Sequence, residues 1–142
     1  RSLFTAANSN ISVTSVTTSG SVNVAGILSV GNTFSVNTNS YLTSTVYTTT
    51  TTAQNTIFSF TTTSSRSAKM LAQMTSGTAY HMIELSLIHD GTTVYLSQYG
   101  EVRTGASLGT LDASISTGTL SLLFTPTNAI TTAKYVATLI PV

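Results

Sequence analysis

Along most of this chain apolar and polar residues alternate one for one. Leu111, Ala113 and Ile115 interleave with Asp112 and Ser114. Ile83, Leu85 and Leu87 interleave with Glu84 and Ser86, and Ala68, Met70, Ala72 and Met74 with Lys69, Gln73 and Thr75. A period of two places every second side chain on one face of an extended strand, so each run reads as a strand with one buried face. No helical period of useful length occurs. Charged residues make up only 6% of the chain, against about 25% in an ordinary globular domain. Lys and Glu, both good helix formers, give way to Thr, Ser and Asn. Thr and Val are stiff at χ1 and pack well on a pleated surface, so the composition also predicts strands.

From Leu42 onward turn signals separate the runs. Thr48 to Thr52 is an unbroken threonine run, a polar strand or a linker, and Ile57 to Thr62 is strand-like. Asp90-Gly91 predicts a type I′ hairpin, in which both central residues need positive φ, and Val94 and Leu96 open the returning strand. Ser116-Thr117-Gly118 makes the next turn. Leu120, Leu122 and Phe124 form another apolar face, Thr125-Pro126-Thr127-Asn128 breaks it, and Ala133, Tyr135, Ala137 and Leu139 make the last. Seven or eight short strands at this spacing predict an all-β fold, an antiparallel β-sandwich of jelly-roll type, over residues 42–142.

Residues 1–41 have a different texture. Apolar pairs recur at six-residue intervals: Val22 and Val24, Leu28 and Val30, Phe34 and Val36, with Val16 one step earlier. Gly20, Gly26 and Gly31 fall between pairs, where turns need permissive backbone. Short strands at a fixed small period predict a fibrous β stem or anchor. A stretch this thin cannot bury a core alone. Winding around identical chains solves that, and predicts a homotrimer with Val22, Val24, Leu28, Val30, Phe34 and Val36 in its seam. The plainer alternative is two hairpins at the edge of a sandwich.

Several function classes find no support. The net charge is +1 and the five basic residues, Arg1, Arg66, Lys69, Arg103 and Lys134, lie far apart, so no nucleic-acid surface is expected. No apolar run approaches the roughly 20 residues that span a bilayer as a helix, and no membrane insertion is expected. No signal peptide is visible, and the start at Arg1 fits either a processed chain or an excerpt of a longer one. Without cysteine there is no disulfide, thiolate ligand or thiol nucleophile. Phosphate-binding glycine motifs, calcium loops and a Gly-x-Ser-x-Gly elbow are absent, and no cofactor is expected.

His81 and His89 stand eight residues apart on one strand face, about 26 Å of extended chain, too far to share a metal within one chain. The four carboxylates Glu84, Asp90, Glu101 and Asp112 are unpaired in sequence, whereas a glycosidase needs two flanking one bond. On this reading the chain is not an enzyme. A polysaccharide-cleaving spike remains the distant rival, and it requires those carboxylates to gather in a groove. A threonine-rich ice-binding surface would need a flat, regular array that Thr48 to Thr52 does not supply. Tyr95 and Tyr99 share a strand face with Tyr80 nearby, a patch suited to packing, to a sugar or to a partner chain.

One resemblance adds to this. Ser67–Met74, Glu84–Tyr95, Gln98–Glu101, Ser107–Thr110 and Leu122–Asn128 resemble a recurrent C-terminal domain of virion structural and fibre-like proteins of marine tailed phages, particularly those infecting cyanobacteria. His89-Asp-Gly-Thr-Thr93 and Phe124-Thr-Pro-Thr-Asn128 are its most specific segments. It covers roughly the second half of the chain and implies a place on the particle surface, without defining ligand-binding residues. The expected function is a tail-fibre or spike tip with a host-attachment role, its partners being copies of itself, other virion proteins and a host surface glycan. The alternative is a capsid decoration or head-fibre protein that stabilises the shell.

Overall fold

The computed structural model describes residues 18–31, 33–36 and 40–142. Every regular element among them is a strand: β1 (Thr33–Val36), β2 (Ser40–Thr48), β3 (Asn55–Thr61), β4 (Ser65–Ser76), β5 (Ala79–His89), β6 (Val94–Arg103), β7 (Gly109–Ser116), β8 (Thr119–Pro126) and β9 (Thr132–Pro141). They form two antiparallel sheets, the larger in the order β1-β2-β9-β4-β5-β6 and the smaller β3-β8-β7. Their inward faces make one core, the sandwich that the alternation predicts.

Large and small side chains alternate across that core. On β4, Ala72 sits between Ile83 and Tyr135, and Ala68 between Leu87 and Leu139. Met70 and Met74 each have an alanine of β9 beside them, Ala137 and Ala133. The hollows this leaves face the small sheet, which supplies Phe58, Phe60, Leu120, Leu122 and Phe124. Phe58 meets Tyr135 edge-on at 5.4 Å and Phe60 at 5.6 Å. Such interdigitation lets two sheets approach to about 10 Å without voids. A bulge between Thr56 and Phe58 turns the adjacent Ile57 and Phe58 both inward, which a regular strand could not do.

Two turns differ from expectation in an instructive way. Asp90-Gly91 does not form a two-residue type I′ turn. Among the described non-glycine residues only Thr117 has positive φ, so Asp90 cannot take the first central position of that turn. His89 pairs instead with Val94 across a four-residue loop, Asp90–Thr93. The two positive φ values of a type I′ turn fall at Thr117 (47°) and Gly118 (75°), between the paired residues Ser116 and Thr119.

The threonine run serves as the crossing between sheets. Thr49 is buried, donates its hydroxyl to the Ala129 carbonyl at 2.8 Å and accepts from the Thr131 N–H at 3.1 Å. It stitches the end of β2 to the start of β9. Gly109, at the start of β7, marks a close approach of a different kind, between two adjacent strands of the small sheet. A Cβ there would lie 2.4 Å from the Phe124 ring and 2.5 Å from the Thr125 carbonyl oxygen, so any side chain would force the two strands to shift.

Residues 18–31 contain no strand, and Val22, Val24, Leu28 and Val30 are exposed in the single chain. The short strands expected there lack a neighbour to pair with, and an unpaired strand leaves its N–H and C=O groups to water. Phe34 and Val36 do fall on a strand: β1 pairs with β2, Phe34 opposite Leu42 and Val36 opposite Ser40. Their side chains, and the whole of Val16, lie outside the described residues.

Candidate functional site

Two features are candidates for function: a polar corner where β6 leaves the large sheet, and the outer face of that sheet. The corner is built by a bulge. Met82 pairs with Val102 and Glu84 with Tyr99, so Gly100 and Glu101 together oppose the single residue Ile83. Gly100 takes φ of 62°, a left-handed conformation that glycine adopts without steric cost. The extra residue shifts the phase of the strand and brings Glu101 to His81, twenty residues away in sequence. Glu101 Oε1 lies 2.8 Å from His81 Nε2 and 3.2 Å from Arg103 Nε. The first contact is close but lacks the alignment of a hydrogen bond.

His81 is 2% exposed, so its ring must find partners inside. Its Nδ1 receives the Leu108 N–H at 3.4 Å. A backbone N–H can only donate, so Nδ1 is the acceptor, and the neutral ring carries its proton on Nε2, toward Glu101. Met74, Ile83, Gln98, Ser107 and Thr110 complete an open groove of about 510 Å³ beside the pair. Gln98 closes its far side by donating to the Leu111 carbonyl at 3.2 Å, bridging the two sheets. The groove therefore combines one carboxylate and a buried imidazole over an apolar floor, and the Arg103 guanidinium pairs with that carboxylate.

The other candidates from sequence lie elsewhere. His89 sits at the opposite end of β5, with Nε2 2.7 Å from the Ser65 carbonyl and its ring against Phe60. Glu84 lies on the outer side of β5, paired with Lys69 at 3.5 Å. Asp112 is exposed on β7 and accepts from the Ala113 N–H. Asp90 caps its loop. Its carboxylate accepts from the N–H groups of Thr93 and Thr92, then from the Thr92 hydroxyl and Tyr95 OH, and these bonds hold it well below the usual carboxylate range. Among the described residues no three of His, Cys, Asp or Glu gather as a metal site.

The outer face of the large sheet is the larger surprise. Alternation predicts polar residues there, yet Leu71 and Val136 are each 45% exposed, Ile88 51%, Ile140 55% and Val46 60%, with Met82, Tyr80, Tyr95, Tyr99 and Val102 also outward. Tyr95 and Tyr99 do share this face, as their spacing requires. Val46, Leu71, Met82 and Val136 line one shallow apolar hollow, and Ile88, Tyr95 and Ile140 a second. Lys69 stands between strands of the same face, 5.9 Å above the Tyr99 ring, with Glu84 beside it. The signal was in the sequence as adjacent apolar pairs: Met70-Leu71, Met82-Ile83, Leu87-Ile88, Tyr135-Val136 and Leu139-Ile140. On a strand, two apolar neighbours point to opposite faces, so such pairs mark a strand meant to be covered on both sides.

The sequence matches no protein-family model and no curated protein. The solved structures that are similar include three phage tailspike proteins. The tailspike of Acinetobacter baumannii phage AM24 aligns with a TM-score of 0.46 at 11% identity, covering 74% of this chain and 27% of that one. Tailspike gp49 of Acinetobacter baumannii bacteriophage Fri1 gives 0.43 at 21% identity, covering 77% and 19%. The tailspike of Acinetobacter phage vB_ApiP_P1 gives 0.42 at 19%, covering 87% and 26%. The chain thus spans about a fifth to a quarter of the length of these spikes.

One expectation from the sequence is corrected here. The chain was read as not an enzyme, but the Fri1 protein is a capsular polysaccharide depolymerase, and the non-enzymatic reading is withdrawn. That reading rested on carboxylates scattered along the sequence.

Proposed function

We propose that this chain is a module of a phage tail spike or fibre, carried on the surface of the particle and serving attachment to a host surface glycan. The observation that carries the proposal is the apolar outer face of the six-stranded sheet. A sandwich that works alone in water covers such a face with polar residues. This one sets Leu71, Met82, Ile88, Val136 and Ile140 outward, which suits a component that is complete only when assembled. The low charge and the hydroxyl-rich polar positions fit the same role, since a net charge of +1 offers little resistance to close packing of copies. The segments resembling fibre-like virion proteins of cyanobacterial phages, and a homotrimer joined through Val22, Val24, Leu28, Val30, Phe34 and Val36, belong to this proposal.

Immunogold labelling of intact particles tests it. Antibody raised against residues 42–142 is expected at the tail tip or along tail appendages. Label spread over the capsid would overturn the tail assignment in favour of a decoration protein. Particles without label would remove the virion reading altogether.

A further inference from the structure

The outer face of the large sheet can be followed strand by strand. In one row Val136 of β9 stands beside Leu71 of β4, then Glu84 of β5 and Tyr99 of β6. In the next, Val46 of β2 is followed by Lys134, Gln73, Met82 and Val102. A third reads Ile140, Ser67, Ile88, Tyr95. Between the first and the third rows runs a polar one, Thr138, Lys69, Ser86 and Ser97, so the apolar side chains form two patches on either side of it. The two charges nearest the centre, Lys69 and Glu84, neutralise one another. Lys134 is the remaining charge in these rows.

We infer that this face seats a second copy of the chain, sheet against sheet, in addition to any contact made by residues 1–41. The inference rests on reading the chain as a component of an assembled particle. Area supports a copy rather than a small ligand. Five strands about 4.8 Å apart, each presenting some 26 Å of length, offer roughly 600 Å² in projection, and a standard interface takes about 800 Å² of accessible surface from each partner. Charge supports it too. A surface with a self-neutralised pair and one lysine draws neither a polyanion nor a strongly acidic protein. It matches a surface equally poor in charge, and every copy of this chain carries one. In a two-fold contact the patch is its own complement, and since such a contact pairs exactly two chains it joins a chain of one trimer to a chain of another. Ridge side chains such as Tyr95 and Leu71 then enter the hollows beside Ile140 and Val46 of the facing sheet, at the spacing of about 10 Å usual for packed sheets. The Lys69–Glu84 pair can enter such a contact already matched, which limits the cost of taking charge out of water.

Sedimentation equilibrium of the full chain over a micromolar concentration range provides the test. The wild-type chain is expected to associate. Leu71→Glu places an unmatched carboxylate in the contact and is expected to weaken association at least tenfold, while the circular dichroism spectrum stays that of a β protein. Val136→Thr keeps the β-branched shape, removes less apolar surface and is expected to weaken association by a few-fold, which covers the case in which Leu71→Glu does not fold. A wild-type chain that is monomeric throughout overturns the inference, as does a chain held on this face only by another virion protein. Association that survives both substitutions but is lost in Leu28→Asp also overturns it, since residues 18–31 would then hold the copies together alone. The two proposals fail separately. Labelled tails with a monomeric chain leave the functional reading standing without this contact, and unlabelled particles with a contact sensitive to Leu71→Glu do the reverse.

Discussion

The two sheets share one interior and present opposite exteriors. On the small sheet, Thr56, Ser59 and Thr61 of β3 and Asp112, Ser114 and Ser116 of β7 face water, with Leu123 of β8 the large apolar exception among the described residues. On the large sheet the equivalent positions hold Leu71, Met82, Ile88, Val136 and Ile140. Both sheets are built from the same period-two backbone, so the difference lies wholly in what was placed at the outward positions. A polar exterior costs nothing in water and specifies nothing further. An apolar exterior is a liability for an isolated chain and an asset for an assembled one. The small sheet therefore reads as the finished side of the module, and the large sheet as the side that awaits a partner.

If unlike exteriors rest on one shared interior, the two sheets must be lost together. Phe124 is the most demanding probe, being fully buried on β8 at the junction of both layers. Phe124→Ala is expected to cost about 3–5 kcal/mol, through lost burial and the cavity left behind. Urea unfolding followed by tyrosine fluorescence and by circular dichroism should still give coincident transitions. Separate transitions would mean that the sheets are independent units, and the comparison of their exteriors would lose its premise.

Gly109→Ala probes the small sheet's seating more locally. The added methyl would meet the Phe124 ring and, more seriously, the Thr125 carbonyl, which belongs to backbone and cannot swing aside. A loss of about 2–3 kcal/mol is expected from this overpacking, seen as a lower urea midpoint at unchanged slope. A neutral result would mean that β7 and β8 can separate at this end without disturbing the core.

How much of this was legible beforehand follows from which physical rule governs each feature. The inner face was legible because alternation and burial are the same fact: Met70, Leu85, Leu122 and Ala137 could be placed from spacing alone. The span Ala79–His89 was visible as one strand for the same reason. The outer face was missed because alternation was read as apolar-in and polar-out, and the adjacent pairs such as Leu139-Ile140 were assigned by their inward member only. The corner at Glu101 was not legible. Its geometry depends on one extra residue at Gly100, and a bulge leaves almost no trace in a pattern that glycine already interrupts. The Asp90-Gly91 turn was misread because the dipeptide signals a turn but does not fix its length. The hydrogen bonds from Thr92 and Thr93 to Asp90 favour the longer loop.

One hairpin of each sheet invites comparison, β7–β8 in the small sheet and β5–β6 in the large, and the two are stabilised differently. In the small sheet, Thr117 is held at φ of 47°, a conformation that disfavours a β-branched residue by about 1–2 kcal/mol. Asn tolerates it far better. Thr117→Asn is expected to raise stability by about 0.5–1 kcal/mol, read as a higher urea midpoint. An unchanged or lower midpoint would show that the Thr117 side chain makes an offsetting contribution, and the turn would no longer count as strained.

In the large sheet the β5–β6 hairpin is held by charge instead. The Thr93 and Thr92 N–H groups, with the Thr92 hydroxyl, lower the Asp90 carboxyl in the folded state. A carboxyl lowered on folding stabilises the protein above its unfolded pKa of about 3.9, and that contribution fades as pH falls toward the folded value. Asp90→Asn keeps an acceptor oxygen but has no charge to lose. The wild-type chain should therefore be the more stable of the two at pH 7, by a small margin since the site is fully exposed, and the margin should shrink steadily below pH 4 in thermal melts. A margin independent of pH would mean that shape rather than charge closes the β5–β6 loop, and the two hairpins would then differ in strain alone.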